Sequence, residues 1–259
     1  MKKIKSLHSC RGGGITSNIL NFLNIPGVPI AYWVSKKFAE LFVNNKLSDY
    51  ADARIGMVTG DNERFLRLWY EIDNTKSFYE ATDYISAFAS GKKWFPLQKG
   101  GGKRYWYGNL EYVVNYEKDG FEIKFDNSIN GRVRSHNYNG NKAFRNGITW
   151  NSIGTSDIIT RISGKGFIYD AGGPLCTIND ENNTNYFLGL LTSKVAQSIY
   201  KFINPTINYT PGTLLSLPII IKIQKKPYIN NLVCENINKS KKDWDSFETS
   251  WDFKKHPLI

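Results

Sequence analysis

The middle of the chain consists of short runs of aromatic and β-branched residues that are separated by Gly, Asn and Asp. Aromatic and β-branched residues favour the half-buried surface of a sheet, and the small residues between them favour turns. A chain with this pattern is restricted to a sheet-centred fold of many short strands. The predicted strands cover residues 105–116, 147–153, 158–162 and 166–169.

Helical segments are predicted on both sides of this region. Residues 31–44 have helical spacing of apolar positions, and residues 61–71 favour a short helix that begins at Asp61 or Asn62 as its N-cap. Over 185–202, apolar residues recur at steps of three and four, which predicts one amphipathic helix that ends at Pro205. A strand over 214–223 and a second helical segment from residue 224 are predicted to follow.

Together these elements predict the α+β class, with a sheet-centred domain and flanking helices. A length of 259 residues fits one large domain or two small ones. The predicted organisation is an N-terminal helical or linker segment over 1–48, the sheet-centred domain over 49–223, and the start of a C-terminal helical segment over 224–259.

The chain is strongly basic, with 34 Lys and Arg against 23 Asp and Glu and a formal net charge of +11. This excess favours a polyanionic partner, with nucleic acid ahead of an anionic membrane surface. No run approaches the roughly 18–20 apolar residues of a membrane span, and the first residues lack an apolar signal core, so a cytoplasmic protein is expected. The three cysteines lie too far apart for a disulfide framework or a paired-cysteine metal site.

Cations and aromatic residues are interleaved over 91–109. Lysines and arginines neutralise phosphates, and aromatic rings stack on bases or insert between them. The predicted DNA contacts in this stretch are Lys92, Lys93, Lys103, Arg104 and Trp106. The structural alternative is a β-hairpin whose aromatic residues pack inward and whose lysines are solvated.

A second basic stretch lies between residues 127 and 169, where Asp157 is the only acid and where Arg161 and Lys165 also occur. Arg and Asn side chains have the bidentate geometry for guanine and adenine edges. The predicted contacts in this stretch are Arg132, Arg134, Asn137, Lys142 and Arg145. A turn at 59–64 adds Asn62 and Arg64, for which capping of the following helix is the alternative role.

Patterns that would indicate catalysis are weak. The three histidines have neither a GxSxG elbow nor an HExxH helix around them, and the glycine runs lack the GxxxxGK[ST] spacing of a phosphate-binding loop. Glu122, Lys124 and Asp119 leave a metal-dependent nuclease open as an alternative. The Asn-Pro-Pro-aromatic loop and the glycine-rich cofactor turn of an adenine methyltransferase do not occur in the sequence. No catalytic or metal-ligating residue is therefore assigned.

Five motifs in a fixed order resemble one family. They are TGDNERFLRLWYEID at 59–73, SGKKWFPLQKGG at 90–101, RYWYGNLEYVVNYEKDG at 104–120, GITWNSI at 147–153 and the helix with its NPT and Leu-Pro segment at 188–219. With segments 25–38 and 243–259, they make nearly the whole chain similar to the PglX family, the adenine-specific DNA methyltransferases of BREX phage-defence systems. The TGDN motif also resembles fused type II restriction-modification enzymes, and the 188–219 motif resembles type I specificity subunits.

The resemblance implies a target-recognition domain, similar in fold to the specificity domains of those restriction-modification enzymes. Such a domain binds double-stranded DNA sequence-specifically for a methyltransferase domain or subunit, with other BREX components as further partners. It also implies that S-adenosylmethionine belongs to a catalytic domain outside this chain, which is then a fragment, a truncated gene or a split subunit without a cofactor or methylation activity of its own. The alternative is a protein-interaction module that docks a separate methyltransferase or defence subunit through the tail with Trp251 and Phe253. These two belong to a group of tail aromatics that are expected to be exposed, with Trp244 and Phe247 as the other members.

Overall fold

The computed structural model describes residues 25–27, 35–125, 131–136, 139–155, 157–256 and 258. These residues form two four-stranded sheets with helices around them, so the predicted α+β class is confirmed. The strands are β1 (Ala51–Arg54), β2 (Leu66–Leu68), β3 (Trp94–Gln98), β4 (Tyr112–Asn115), β5 (Gly147–Trp150), β6 (Thr160–Ser163), β7 (Ile168–Tyr169) and β8 (Leu175–Ile178). The helices are α1 (Lys36–Glu40), α2 (Asn62–Phe65), α3 (Tyr84–Ala89), α4 (Glu117–Lys124), α5 (Thr184–Thr192), α6 (Lys194–Ile203), α7 (Pro211–Leu215) and α8 (Lys226–Trp244).

The first sheet has the strand order β1-β8-β5-β6 and is antiparallel throughout. On one face of β5, Ile148 and Trp150 are fully buried in a core shared with α5 and α6. The indole Nε1–H of Trp150 donates to the Tyr209 carbonyl at 2.8 Å. Trp150 is therefore a core residue of this sheet.

The opposite face of the first sheet buries a charge. Arg161 in β6 lies opposite Thr149 and is 0% exposed. Its Nη1 donates to the Arg104 carbonyl at 3.4 Å, while Nε and Nη2 have no hydrogen-bond partner among the described residues. Burial lowers the pKa of Arg161 from its ordinary value to about 10. Arg161 therefore adds nothing to the positive surface that the sequence predicts over 127–169.

The second sheet has the strand order β2-β4-β3-β7, in which β3 and β7 are parallel and the other pairs are antiparallel. Phe95, Leu97 and Val114 are buried in its core. The hairpin alternative for 91–109 is partly correct, because β3 pairs with β4, but the connection between them runs over residues 99–111.

Several predicted elements have different bounds. The helix predicted over 61–71 is only α2, which Asp61 caps by accepting from the Arg64 amide at 3.1 Å before the chain enters β2. The predicted strand over 105–116 is reduced to β4, because Trp106 and Asn109 have positive φ angles of 71° and 60° that no strand accommodates. The helix predicted over 31–44 is α1 followed by a 3-10 turn at Leu41–Val43, and residues 31–34 lie outside the described residues.

Two predictions in the C-terminal half were wrong. The single helix predicted over 185–202 is two helices, because Ser193 has an extended conformation (ψ 146°) and its hydroxyl caps α6 at the Ala196 amide, 3.2 Å away. The segment predicted as a strand over 214–223 begins inside α7, which Thr210 caps and which has Pro211 in its first turn. The helical prediction for the tail is confirmed by α8.

The C-terminal segment packs on the rest of the chain. Trp244 is buried, and Trp251 is half-buried between Tyr79 and Phe167, with ring centroids 5.2 and 6.0 Å away. The prediction of exposed tail aromatics is therefore wrong for Trp244 and Trp251, which find their apolar partners within the chain. Among the described helices, none has both the length and the hydropathy that a bilayer span requires.

Candidate nucleic-acid interface

The turn at 59–64 and the basic loop that follows residue 131 lie side by side. Val58 and His136 exchange backbone hydrogen bonds of 2.7 and 2.8 Å in an antiparallel bridge. Next to this bridge, the Asn139 side chain donates to the Ile55 carbonyl at 2.9 Å. We call the described residues of 52–64 and 131–145 the basic ribbon. The fold thus joins the TGDN turn to the arginine-rich loop, although the two are about 70 residues apart in sequence.

Most cations of the basic ribbon are held by carboxylates. Asp52 lies 2.8 Å from Arg54 Nε and 3.3 Å from Lys142 Nζ. Its burial raises the pKa of Asp52, but the hydrogen bonds to these two cations outweigh that effect and lower it overall. Arg134 lies 3.2 Å from Asp61. Such partly exposed pairs contribute about 0–1 kcal/mol each, so exchanging a carboxylate for a DNA phosphate costs little.

The remaining predicted residues of this region differ in their surroundings. Arg64 Nη2 lies 4.0 Å from a Glu122 carboxylate oxygen, and the Arg64 guanidinium covers the Phe65 ring at 4.8 Å. Arg132 and Arg145 are exposed. Asn137 lies outside the described residues.

Asn62 is an exposed residue in the first turn of α2. Asp61 provides the helix cap, so Asn62 does not have the capping role that was its alternative. The Asn62 Oδ1 atom accepts from the Thr59 hydroxyl at 2.6 Å, which fixes the orientation of the amide. An amide held in this way at the surface is suited to a base edge or a phosphate.

A cavity of about 300 Å³ lies beside the ribbon. Its walls are formed by residues 57–60 and Asn62 on one side and by Lys99, Asp170 and Ala171 on the other. Lys99 Nζ lies 3.5 Å from Asp170, and the Gly172 and Gly173 amides donate to Asp170 Oδ1 at 2.7 and 2.9 Å. Burial nevertheless raises the pKa of Asp170, against the effects of Lys99 and the two amides.

The site also includes Lys99, Asp170 and Arg54, which are not among the residues predicted from the sequence. A usable signal existed for the first two, because each directly follows a strand and precedes a pair of glycines. Since β3 and β7 are parallel neighbours, both loops leave the same edge of the sheet. The sequence does not show that β3 pairs with β7, and without this pairing the two loops cannot be placed side by side.

The two glycine loops touch through their backbones. A Cβ atom on Gly172 would lie 2.6 Å from the Lys99 carbonyl oxygen, and one on Gly100 would lie 2.6 Å from the Gly172 carbonyl oxygen. Gly100 also has a φ of +86°, which other residues rarely adopt. The close approach of these loops positions Lys99 against Asp170.

The substitution Gly172→Ala is expected to lower the free energy of unfolding by about 1–3 kcal/mol, because the new methyl group forces the loops apart. Thermal and urea denaturation measure this change. The matched control is Gly212→Ala in α7, where an added Cβ meets nothing within 4 Å and no loss is expected. Equal stability of the Gly172→Ala variant and the wild type would contradict the packing described here.

The predicted contacts over 91–109 lie at the two ends of β3. Before the strand, Lys92 Nζ donates to the Thr75 carbonyl at 2.5 Å, and Lys93 Nζ lies 5.7 Å from the Trp94 ring centroid. After it, Lys103 is exposed. Trp106 is half-buried and packs against the first core. DNA contact by these residues stays a prediction.

Arg104 connects the loop after β3 to helix α8. Its Nη1 lies 2.8 Å from Asp243, and its guanidinium covers the Trp244 ring at 4.9 Å. The Ser240 hydroxyl adds hydrogen bonds of 2.8 and 3.2 Å to the Tyr105 and Tyr107 carbonyls. The structure thus gives Arg104 contacts within the chain, where the sequence suggested a phosphate contact.

The residues of the nuclease alternative have partners of other kinds. Asp119 forms an ion pair with Lys124. Glu122 accepts from Asn115 Nδ2 at 3.2 Å and lies near Arg64. Within the part of the chain that the structure describes, no three His, Cys, Asp or Glu side chains are grouped to hold a metal ion. Besides its ion pair with Asp119, Lys124 Nζ donates to the Tyr84 hydroxyl at 3.2 Å.

Comparison with known proteins relates the chain to methyltransferases. No family model matches it. It is 38% identical over 242 residues to the adenine-specific methyltransferase PglX of Lacticaseibacillus casei (strain Zhang). The matched region covers 92% of this chain and 20% of the relative. The predicted resemblance is confirmed.

A second relative agrees with the first. The adenine-specific methyltransferase BrxX of Escherichia coli (strain HS) is 37% identical over 244 residues, or 92% of this chain and 18% of the relative. The chain therefore spans about one fifth of the length of the curated relatives it matches. It is homologous to one region of the PglX and BrxX methyltransferases.

Proposed function

We propose that this chain is the DNA target-recognition part of an adenine-specific DNA methyltransferase in a BREX-like anti-phage system. The observation that carries the proposal is the basic ribbon, in which the TGDN turn and the arginine-rich loop form one surface with six Lys and Arg against three Asp and Glu. Arg, Lys and Asn side chains on such a surface provide both phosphate neutralisation and base-edge hydrogen bonds. We assign the DNA contacts to the ribbon first and to the lysines around β3 second.

The comparisons support this proposal through the names of the relatives. Both are adenine-specific methyltransferases, and the chain matches a region of about one fifth of each. The sequence lacks the methyltransferase motifs, which fits a region that binds DNA while another region transfers the methyl group. We therefore assign S-adenosylmethionine binding and methyl transfer to other regions of the enzyme, and we place its action in the cytoplasm. The fold relation to restriction-modification specificity domains is part of the same proposal.

Binding of the purified chain to a random pool of DNA duplexes tests the proposal. If the six cations of the ribbon, which are Arg54, Arg64, Arg132, Arg134, Lys142 and Arg145, all contact phosphates, affinity is expected to fall roughly a thousandfold between 50 and 200 mM salt. Fluorescence anisotropy measures this salt dependence, and sequencing of the retained duplexes identifies the recognised motif. Binding that does not change with salt, or retention without any enriched motif, would count against target recognition.

A further inference from the structure

A second cavity, of about 220 Å³, lies on the face of β3 that points away from the second core. Side chains along a strand alternate between faces. Phe95 and Leu97 point into the second core, so Pro96 and Gln98 face the cavity that both of them line. This volume lies below the roughly 300–1,000 Å³ of sites for drug-sized ligands, which restricts an occupant to about one ring system.

The walls of this cavity are aromatic and uncharged. Tyr79, Tyr107, Phe167 and Trp251 all line it, and the Phe167 and Trp251 rings are nearly parallel, with an interplanar angle of 29°. None of the described residues that form the lining is charged. Walls of this kind bind a flat, neutral ring by stacking and disfavour a phosphate or a carboxylate.

Two polar side chains of the cavity lining, the Tyr79 hydroxyl and the Gln98 amide, have no hydrogen-bond partner among the described residues. Gln98 is 1% exposed, and both its Nε2 and its Oε1 lack a hydrogen-bond partner among the described residues. A buried amide without partners costs about 1–3 kcal/mol, so such a group is normally paired with protein, water or ligand. Both amide atoms are closed to water in this structure, so a ligand in the cavity reaches them only when the Gln98 side chain turns toward it, and it must present an acceptor beside a donor.

We infer that this cavity is a binding site for a nucleobase, with the Gln98 amide as its recognition group. Adenine presents an N6 amino donor beside a ring-nitrogen acceptor, which is the pattern that a Gln amide pairs with bidentately. Its flat ring matches the aromatic walls and its neutrality matches the uncharged lining. The inference does not depend on duplex binding by the basic ribbon, because a free base is sufficient to occupy the site.

Titration of the full ¹⁵N-labelled chain with free adenine tests the inference. Adenine is expected to shift the indole N–H signal of Trp251, which the Trp251→Phe variant identifies. Purine lacks the N6 donor and is expected to bind at least about tenfold more weakly, as is adenine to the Gln98→Met variant, since each loses the paired hydrogen bonds. Equal shifts with adenine and purine, or no shift with either, would overturn the inference.

Thermal denaturation of the same variant supplies a second readout. If the Gln98 amide waits for a ligand, Gln98→Met removes an unpaired polar group, and its melting temperature without ligand is expected to equal or exceed that of the wild type. A melting temperature several degrees below the wild type would mean that the amide already has partners, such as ordered water, and would overturn its assignment as the recognition group. Adenine is also expected to raise the melting temperature of the wild type and not that of the variant.

Discussion

Neutralising three cations of the basic ribbon is expected to lower the affinity of the chain for duplex DNA by about 500-fold at 0.1 M salt. The variant combines Arg134→Gln, Lys142→Gln and Arg145→Gln. In a plot of log affinity against log salt concentration, each phosphate contact contributes about −0.9 to the slope. Three contacts therefore contribute about −2.7, which corresponds to about 500-fold in affinity between 1 M and 0.1 M salt. Anisotropy titrations at several salt concentrations should give a slope that is smaller by about three.

A second variant with the same change of net charge separates surface contact from overall charge. It combines Lys194→Gln, Lys222→Gln and Lys225→Gln, three exposed lysines outside the ribbon. This variant is expected to lose only a few-fold in affinity, because charges farther from the duplex than the Debye length of about 10 Å at 0.1 M salt are screened. If both variants lose affinity equally, the ribbon is not the contact surface. Thermal melts of both confirm that each one folds.

Replacing Arg161 with Met is expected to raise the free energy of unfolding at pH 7 by about 1–4 kcal/mol. The guanidinium is fully buried and makes one long hydrogen bond among the described residues, so its lost hydration is poorly compensated. Met fills a similar volume without charge and adapts to irregular space. Urea denaturation of the wild type and the variant measures the difference.

The pKa of Arg161 also fixes how that difference changes with pH. In the folded chain the pKa is lowered to about 10, well below that of an unfolded arginine, so above pH 10 the folded state releases a proton that the unfolded state retains. Stability therefore rises with pH in this range, because the unfolded state binds more protons. The advantage of Arg161→Met is thus expected to be complete below pH 10 and to shrink above it. A variant less stable than the wild type at pH 7 would show that the guanidinium has partners in solution.

The elements that the sequence predicted best depend on local chemistry. The sequence predicts a cap at Asp61 or Asn62 because a cap contacts an amide only three residues away, and Asp61 is the one that makes it. The tail helix is predicted from its own composition. The helix predicted over 185–202 failed for the opposite reason. The apolar spacing continues across Ser193, and only the cap that this side chain makes with α6 shows that the chain turns there.

The candidate interface was predicted residue by residue but not as a surface. Composition identified Arg134 and Lys142 as candidate DNA contacts, while their positions beside Asp61 and Asp52 depend on pairings between distant segments. Arg161 shows the limit of composition, since it has the same charge as its neighbours in sequence and yet lies in the interior. Burial and strand pairing are long-range properties, and a single sequence gives little information about either.

The hydrogen bonds between α8 and the loop after β3 bear on how a protein of this kind can be re-engineered. Asp243 and Ser240 determine where Arg104, Tyr105 and Tyr107 lie, although more than 130 positions separate them along the chain. A chimera that exchanges this loop between homologues while keeping the original α8 would lose the Arg104–Asp243 ion pair unless the new loop also has an arginine there, and it would keep the Ser240 bonds only if the new loop backbone follows the same course. The smallest transplantable unit therefore includes the loop together with the C-terminal helix.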